Sequence, residues 1–430
     1  MRIITKRIVI LFGIIILNTN LELNKSSLSQ RIEIQMKNKL KKVPLADVSV
    51  LYDSLHQTPQ YSENGYPMVR VTDIKLGYLD LAKTKKVDES IYREFTKKYK
   101  PQIGDVVFSQ VGAYGNSSYV NKTKAFCLGQ NIVCISPKQQ LLNSFYLYSC
   151  LNSPFVKQQI DACVGGSSQP TISLRNINTL QIPYLSLSIQ NKIAAILSNY
   201  DRLIENNTRR IEILEEMARS LYDEWFVKFR FPGYEQTKMV DSELELIPEG
   251  WEVNRLDNAL ILQRGFDLPT KQRQESNVPV YASTGVTGTH NEAKVKAPGV
   301  VTGRSGSLGT VIYIDEDFWA LNTTLWVKEF RRVTPLYAFY LLSNLRLEQF
   351  NSGAAVPTLN RNDVHSLQVV IPSHLVLEQF NCFVKPLFAM KKNLQTRNVN
   401  LRKTRDLLLP KLISGEIDVE NLDIETEIAA

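Results

Sequence analysis

The sequence predicts an α+β chain. Two globular α/β domains in tandem repeat are expected, separated by two long helices that form an antiparallel coiled coil with pseudo-twofold symmetry. Three observations carry this expectation: an unusual stretch occurs twice, each copy runs into a long apolar seam, and a proline-containing connector separates the halves. Residues 166–183 read GSSQPTISLRNINTLQIP and residues 353–372 read GAAVPTLNRNDVHSLQVVIP, which places Pro170 and Pro357 187 residues apart.

The duplication extends well beyond that stretch, and a long internal repeat decides architecture before any local reading does. FSQVGAYGNSSYV (108–120) is answered by TGRSGSLGTVIYI (302–314), so Gly112 and Gly115 match Gly306 and Gly309. CLGQNIVCI (127–135) faces ALNTTLWVK (320–328), and Gln190 and Gln379 follow at equal distances. Within each copy, short β-branched and aromatic runs such as MVRVTDI, DVVFSQV, GVVTG and TVIYI, set between Gly, Asn and Asp, read as short strands joined by turns.

The first helical seam is expected on Ile193, Ile196, Tyr200, Leu203, Ile211, Leu214, Leu221 and Trp225, and the second on Phe383, Leu387, Met390, Leu394, Leu401 and Leu408. Spacings of 3 and 4 keep such a stripe turned toward a neighbouring helix. A single stripe of this kind also fits an ordinary core helix, but two matched seams in one chain most simply pack on each other. Each helix would extend ~60 Å at ~1.5 Å per residue. Pro386 is expected to bend the second helix or delay its start. The connector FRFPGYEQTKMVDSELELIPEGW (229–251) lets the chain reverse, so that two heads are held apart by a rod. The expected boundaries are an N-terminal extension (1–35), a first domain (37–183), a first helix (184–228), a connector (229–249), a second domain (250–372), a second helix (373–415) and a C-terminal tail (416–430).

With 430 residues, 43% hydrophobic and 22% charged, the chain is ordinary globular material and not a disordered one. Its 51 Lys+Arg against 43 Asp+Glu give a formal net charge of +8, which favours a polyanionic partner only mildly. Cys127, Cys134, Cys150, Cys163 and Cys382 are odd in number and lack CxxC spacing, so reduced thiols in a cytoplasmic setting fit better than disulfides or a metal site. His56, His290, His365 and His374 read as structural or exposed, and no metal site is expected. The opening MRIITKRIVILFGIIILNTN resembles a signal core but is too short to span a bilayer, and no small-residue cleavage site follows. Met36 is therefore the expected native start.

Catalytic signatures are missing. The chain has no Gly-Lys dipeptide and hence no GxxxxGK[ST] phosphate loop, no Pro-Pro pair, and neither GxSxG nor HExxH. The glycine loop GRSGSLGT (303–310) could let backbone N–H groups approach a phosphate, or be a bare hairpin turn. Its partner QVGAYGNSS keeps both glycines but offers Gln110 where Arg304 stands, which suits one turn with two readout chemistries, since Arg prefers guanine and Gln prefers adenine. Candidate DNA contacts are accordingly Gln110, Tyr114, Asn116 and Ser117 in the first copy and Arg304, Ser305 and Ser307 in the second. Nearby cations, Arg70, Lys75, Lys122, Lys124, Arg264, Lys271, Arg273, Lys294 and Lys296, would supply phosphate attraction, although a surface lysine is ordinarily only solvated.

At these residues the chain resembles the DNA specificity subunit of type I restriction-modification systems, over roughly residues 37–419. SxQPTI and VPTLNR leading into LQIP and LQVVIP, the central EEMARSLYDEWFVKFRFPGYE, the IPEGWE opening of the second half and the terminal LRKTRDLLLPKLISGEIDV carry the resemblance. LELIPEGW lacks the Gly-containing turn often found before that Ile-Pro, and the apolar extension has no counterpart. The resemblance implies two target recognition domains, each reading half of a split double-stranded DNA sequence, with a spacer set by the helices. It implies a non-catalytic chain that binds two modification (methyltransferase) subunits, which bring S-adenosylmethionine and flip the target adenine, and restriction (translocase/nuclease) subunits, which use ATP and Mg. No cofactor is expected on this chain itself. Two other readings are an autonomous DNA-binding or anti-restriction regulatory homologue without catalytic partners, and an envelope protein exported by its first 35 residues. The unpaired cysteines argue against the second of these.

Overall fold

The computed structural model describes residues 41–425 apart from 123, 166–168 and 354–355. The apolar opening segment, Met36 and part of each repeated turn lie outside the described residues. The chain divides into two compact units: one takes the residues up to Asn206 together with those from Arg397 onward, and the other is Asn207–Thr396.

The first unit contains strands β1 (Lys42–Pro44), β2 (Ser49–Asp53), β3 (Tyr66–Val69), β4 (Lys85–Val87), β5 (Val106–Ser109), β6 (Ser117–Tyr119), β7 (Cys127–Leu128), β8 (Ile132–Pro137) and β9 (Gln181–Pro183). Its short helices are α1 (Leu45–Val48), α2 (Glu89–Phe95), α3 (Ser144–Leu151), α4 (Pro154–Ala162) and α5 (Leu174–Thr179). A four-stranded sheet in the order β2-β8-β5-β6 faces a three-stranded one in the order β4-β3-β7, and β1 pairs with β9. VVFS of β5 is buried at every position, as expected of a central strand covered on both faces. Helix α3 is apolar all round and buried, and Asn143 caps it by accepting the Tyr146 N–H at 3.0 Å.

In the second unit a ribbon of β10 (Met239–Val240) and β11 (Ile247–Pro248) occupies the connector. The unit then repeats the topology of the first. β12 (Glu252–Arg255), β13 (Leu260–Arg264), β14 (Val278–Ala282), β15 (Gly285–His290), β16 (Gly299–Gly303), β17 (Val311–Ile314), β18 (Trp319–Ala320), β19 (Thr324–Phe330) and β20 (Gln368–Ile371) form sheets β13-β19-β16-β17, β15-β14-β18 and β12-β20. The parallel pairing of β3 with β7 recurs as β14 with β18. The long α6 (Leu187–Tyr222) lies between the two head sequences, and α7 (Leu256–Ala259), α8 (Pro335–Asn344), α9 (Arg361–His365) and the long α10 (His374–Ile413) follow.

Each unit contains half of each long helix, and within each unit the halves run antiparallel. In the first, Asp201 pairs with Arg405 while Lys192 bonds the Glu420 carbonyl at 2.6 Å. In the second, Glu215 pairs with Lys391 at 2.6 Å while Trp225 lies 6.0 Å from Phe380. The first head's core is closed by the far end of the chain: Leu408, Leu412, Ile413 and Val419 are buried with Ile193, Ala194 and Leu197. Residues 416–422 therefore do not hang free as a tail. In the second unit Ala218, Tyr222, Trp225, Phe226 and Phe231 take the corresponding place beside Val376, Phe380 and Val384. A π turn over Asp223–Val227, closed by the Lys228 N–H on the Asp223 carbonyl at 2.9 Å, leaves Trp225 and Phe226 both buried.

The seam runs one residue away from part of its expected path. Leu203 is 38% exposed, Phe383 58% and Met390 56%, whereas Ile204, Val384 and Leu394 are buried. On α10 the inward positions are Leu377, Phe380, Val384, Leu387, Lys391, Leu394, Asn398, Leu401, Arg405, Leu408 and Leu412, all buried or half-buried and always 3 or 4 apart. On α6, Ile193, Leu197, Asp201, Ile204, Ile211, Leu214 and Ala218 face inward, followed by Trp225 in the π turn, with Ile196, Tyr200 and Leu221 half-buried beside them. Asp201, Lys391, Asn398 and Arg405 are polar, and a stripe chosen by hydrophobicity alone skips them and slips onto exposed neighbours. Pro386 neither breaks nor delays the helix. It sits exposed within α10, four residues after Cys382, which is exposed as well.

The thiols are free, with Cys127, Cys134 and Cys150 buried, Cys163 half-buried and Cys382 exposed. Burial pushes the Cys127 thiol up to about 12. His365 Nε2 accepts the Leu262 N–H at 2.9 Å, and partial burial holds its pKa below the ordinary value of 6.5. Protonation would place a hydrogen on the accepting nitrogen. Stability of the second unit is therefore fully present above pH ~6.5 and falls as pH drops through the depressed folded pKa. The expected result is a lower urea midpoint at pH 5.5 than at 7.5, a difference that shrinks in His365→Gln.

Candidate nucleic-acid interface

In each head the repeated Pro-Thr segment docks on the glycine loop. In the first, the Gly112 N–H donates to the Pro170 carbonyl at 3.0 Å, and the Ile172 N–H donates to the Gln110 carbonyl at 3.0 Å. In the second, the Gly306 N–H donates to the Pro357 carbonyl at 2.9 Å, and the Leu359 N–H to the Arg304 carbonyl at 2.8 Å. A third segment completes the junction from the opposite side. The Gln110 N–H donates to the Asn131 carbonyl at 2.9 Å, and the Arg304 N–H to the Thr323 carbonyl at 2.8 Å. The two stretches that stand out in the sequence as written twice thus meet at one point in each head, held by matching backbone bonds.

Glycine is required there by backbone conformation. Gly112 and Gly115 have φ of 70° and 73°, and Gly306 and Gly309 of 86° and 81°, a region that side chains rarely enter. Immediately after the junction, Ser173 caps α5 by accepting the Asn176 N–H at 3.2 Å, and Asn360 caps α9 by accepting the Asn362 N–H at 3.0 Å. The repeated SLRN and LNRN letters are helix starts that fix where the Pro-Thr segment ends.

The candidate side chains are in different situations. Gln110 is buried and its Oε1 has no hydrogen-bond partner, while Ser117 is buried and accepts from Asn152 Nδ2 at 2.8 Å. Tyr114 is half-buried and Asn116 exposed, as are Lys75, Lys122 and Lys124. Arg70 is engaged by Asp73 through two bonds of 2.9 and 3.0 Å, and Lys122 lies 3.7 Å from Glu205. In the second head Arg264 pairs with Asp267 at 3.3 Å, Lys296 with Asp317 at 2.6 Å, and Lys294 with Glu292 while lying over the Trp319 ring. Arg273 donates to the Thr287 carbonyl at 3.0 Å, and Lys271 is exposed. Arg304 is half-buried beside half-buried Ser305 and exposed Ser307, and donates only a long 3.4 Å bond to the Asn322 carbonyl. Surface ion pairs of this kind are weak, ~0–1 kcal/mol, and exchange readily for a phosphate.

Sequence reasoning missed Lys157 on α4. Its ammonium donates to the Gly115 carbonyl behind the loop, and burial lowers its pKa. It also missed Glu348, whose carboxylate lies against Gly309 so closely that an added Cβ would sit 2.5 Å from Oε2. Helical spacing does not reveal either contact, because each depends on how a short helix seats beside a loop of another segment. Among the described residues no group of three or more His, Cys, Asp or Glu side chains is placed to hold a metal ion, and no helix is long and apolar enough to cross a membrane.

Two sheet-based heads built on one topology, each with a backbone-fixed loop junction, form a duplicated recognition scaffold. The chain belongs to the type I restriction modification DNA specificity domain family, whose model matches residues 38–216 and 248–379. It is 29% identical over 313 residues to the type I restriction enzyme MjaIX specificity subunit of Methanocaldococcus jannaschii, covering 67% of this chain and 72% of that protein. A putative MjaX specificity subunit of the same organism is 23% identical over 399 residues, covering 87% and 92%. The crystal structure of a type I restriction-modification S subunit from M. genitalium shares the fold, with TM-score 0.58, 17% identity, and 87% and 96% of the two chains covered.

Proposed function

We propose that this chain is the sequence-specific DNA-binding subunit of a type I restriction-modification complex. It reads a two-part double-stranded target, one half through each head, and directs adenine methylation or restriction performed by partner subunits. The observation that carries this reading is the pair of junctions: one backbone scaffold is used twice with different side chains at the matching position, Gln110 in one and Arg304 in the other. A shared frame with exchanged side chains is what two half-sites of different sequence require.

The chain contributes recognition and not catalysis. Two modification subunits supply S-adenosylmethionine chemistry, restriction subunits use ATP and Mg, and the complex works in the cytoplasm, where its DNA is. Sequencing of modified bases in host DNA tests this. A split motif carrying methyl-adenine should be present in the parent and absent on deletion of the gene. Exchanging residues 40–183 for the head of another family member should alter one half of the motif and leave the other. Genomic methylation that is indifferent to the gene would overturn the reading.

A further inference from the structure

We propose that Arg304 is a specificity-determining residue of the second head and reads a guanine in its half-site. This rests on the DNA-reading function above and assigns one base within it.

The residue's backbone is fixed on both sides. Its N–H donates to the Thr323 carbonyl at 2.8 Å, its carbonyl accepts the Leu359 N–H at 2.8 Å, and the next two residues are tied to Thr323 at 3.1 Å and Pro357 at 2.9 Å. Its side chain, by contrast, is hardly engaged. One Nη1 reaches the Asn322 carbonyl at 3.4 Å, and among the described residues the guanidinium makes no ion pair. Arg264, Lys294 and Lys296 in the same head are each neutralised by a carboxylate. Arg304 therefore combines a rigid attachment with a charged, planar and uncommitted head: the backbone gives up little freedom on binding, and the entropic cost is confined to ordering the side chain.

The matching position in the first head strengthens the assignment. Gln110 sits in the same three-way junction with the same backbone bonds, so the fold does not demand arginine there. A half-buried cation without a carboxylate partner at a position the scaffold leaves open is explained by something outside the chain. Arginine's paired N–H groups match guanine O6 and N7, and a phosphate contact, which the same fork could make, differs from it in carrying no sequence preference.

The test uses the full-length chain and a pool of duplexes in which both half-sites are randomised, comparing the parent with Arg304→Lys, Arg304→Gln and Arg304→Ala. The parent should require guanine at one position of the second half-site. In the alanine variant that requirement should relax by about 5- to 150-fold, the worth of one bidentate pair, and in the lysine variant, which keeps the charge but not the planar fork, by a smaller factor. The glutamine variant should move preference at that position toward adenine. All other positions, including the whole first half-site, should stay as in the parent, which also shows that the variants are folded. Unchanged preference in Arg304→Ala, relaxation at a position where the parent takes another base, or uniform weakening on all sequences would overturn the proposal. A parent that selects no sequence at all would instead overturn the function on which it rests.

Discussion

Arg405→Leu is expected to destabilise the first unit by about 3–5 kcal/mol, the cost of leaving a buried charge without its partner. The side chains of Arg405 and Asp201 are 10% and 5% exposed, and Arg405 also holds Asp406 at 2.8 Å. Burial already pushes the Asp201 carboxyl above its ordinary value despite the arginine beside it. Without that arginine the carboxyl shifts further up, and a raised folded pKa in an acid means stability lost as pH rises from the unfolded value toward the folded one. The deficit of Arg405→Leu should therefore be larger at pH 7.5 than at pH 5. The double variant Asp201→Leu, Arg405→Leu replaces the pair by apolar volume and is expected to match or exceed the parent. Urea unfolding checks both, and a single-variant loss below about 1 kcal/mol would show that the pair is solvated.

A chain ending at Ser414 is expected to lose about 3–5 kcal/mol in the first unit while the second is untouched. The truncation removes Val419, 1% exposed in the core of the first head, and the half-buried Ile417 and Leu422 packed against it. It also removes the bond from Lys192 to the Glu420 carbonyl and opens Leu412 and Ile413 to water. Limited proteolysis should then cut first within residues 41–186 and spare 250–372. Equal resistance of both segments, with an unshifted urea midpoint, would mean that residues 416–422 add nothing to that core.

Much of the candidate interface was legible in the letters. Pro170 with Pro357, and the glycine pairs 112/115 and 306/309, were aligned by spacing alone, and the structure places each Pro carbonyl on the glycine loop of its own head. The cations were less legible. Lys296 reads as a free lysine until folding brings Asp317 to it, and Lys122 until it meets Glu205, because these carboxylates belong to other segments. The burial of Ser117 and Gln110 was not legible either, since it depends on how the loop seats on the sheet; Gln110 Oε1 is left without a hydrogen-bond partner among the described residues.

By itself, the sequence determined the duplicated scaffold, the two long helices and the glycine turns, since these depend on local periodicity, φ preference and repetition along the chain. Tertiary structure alone decided which residues line the seam, which cations are neutralised, and that Val419 closes the core of the first head. Those outcomes are contacts between segments far apart in sequence, and a polar residue such as Arg405 becomes an interior residue only when its partner, Asp201, is folded against it.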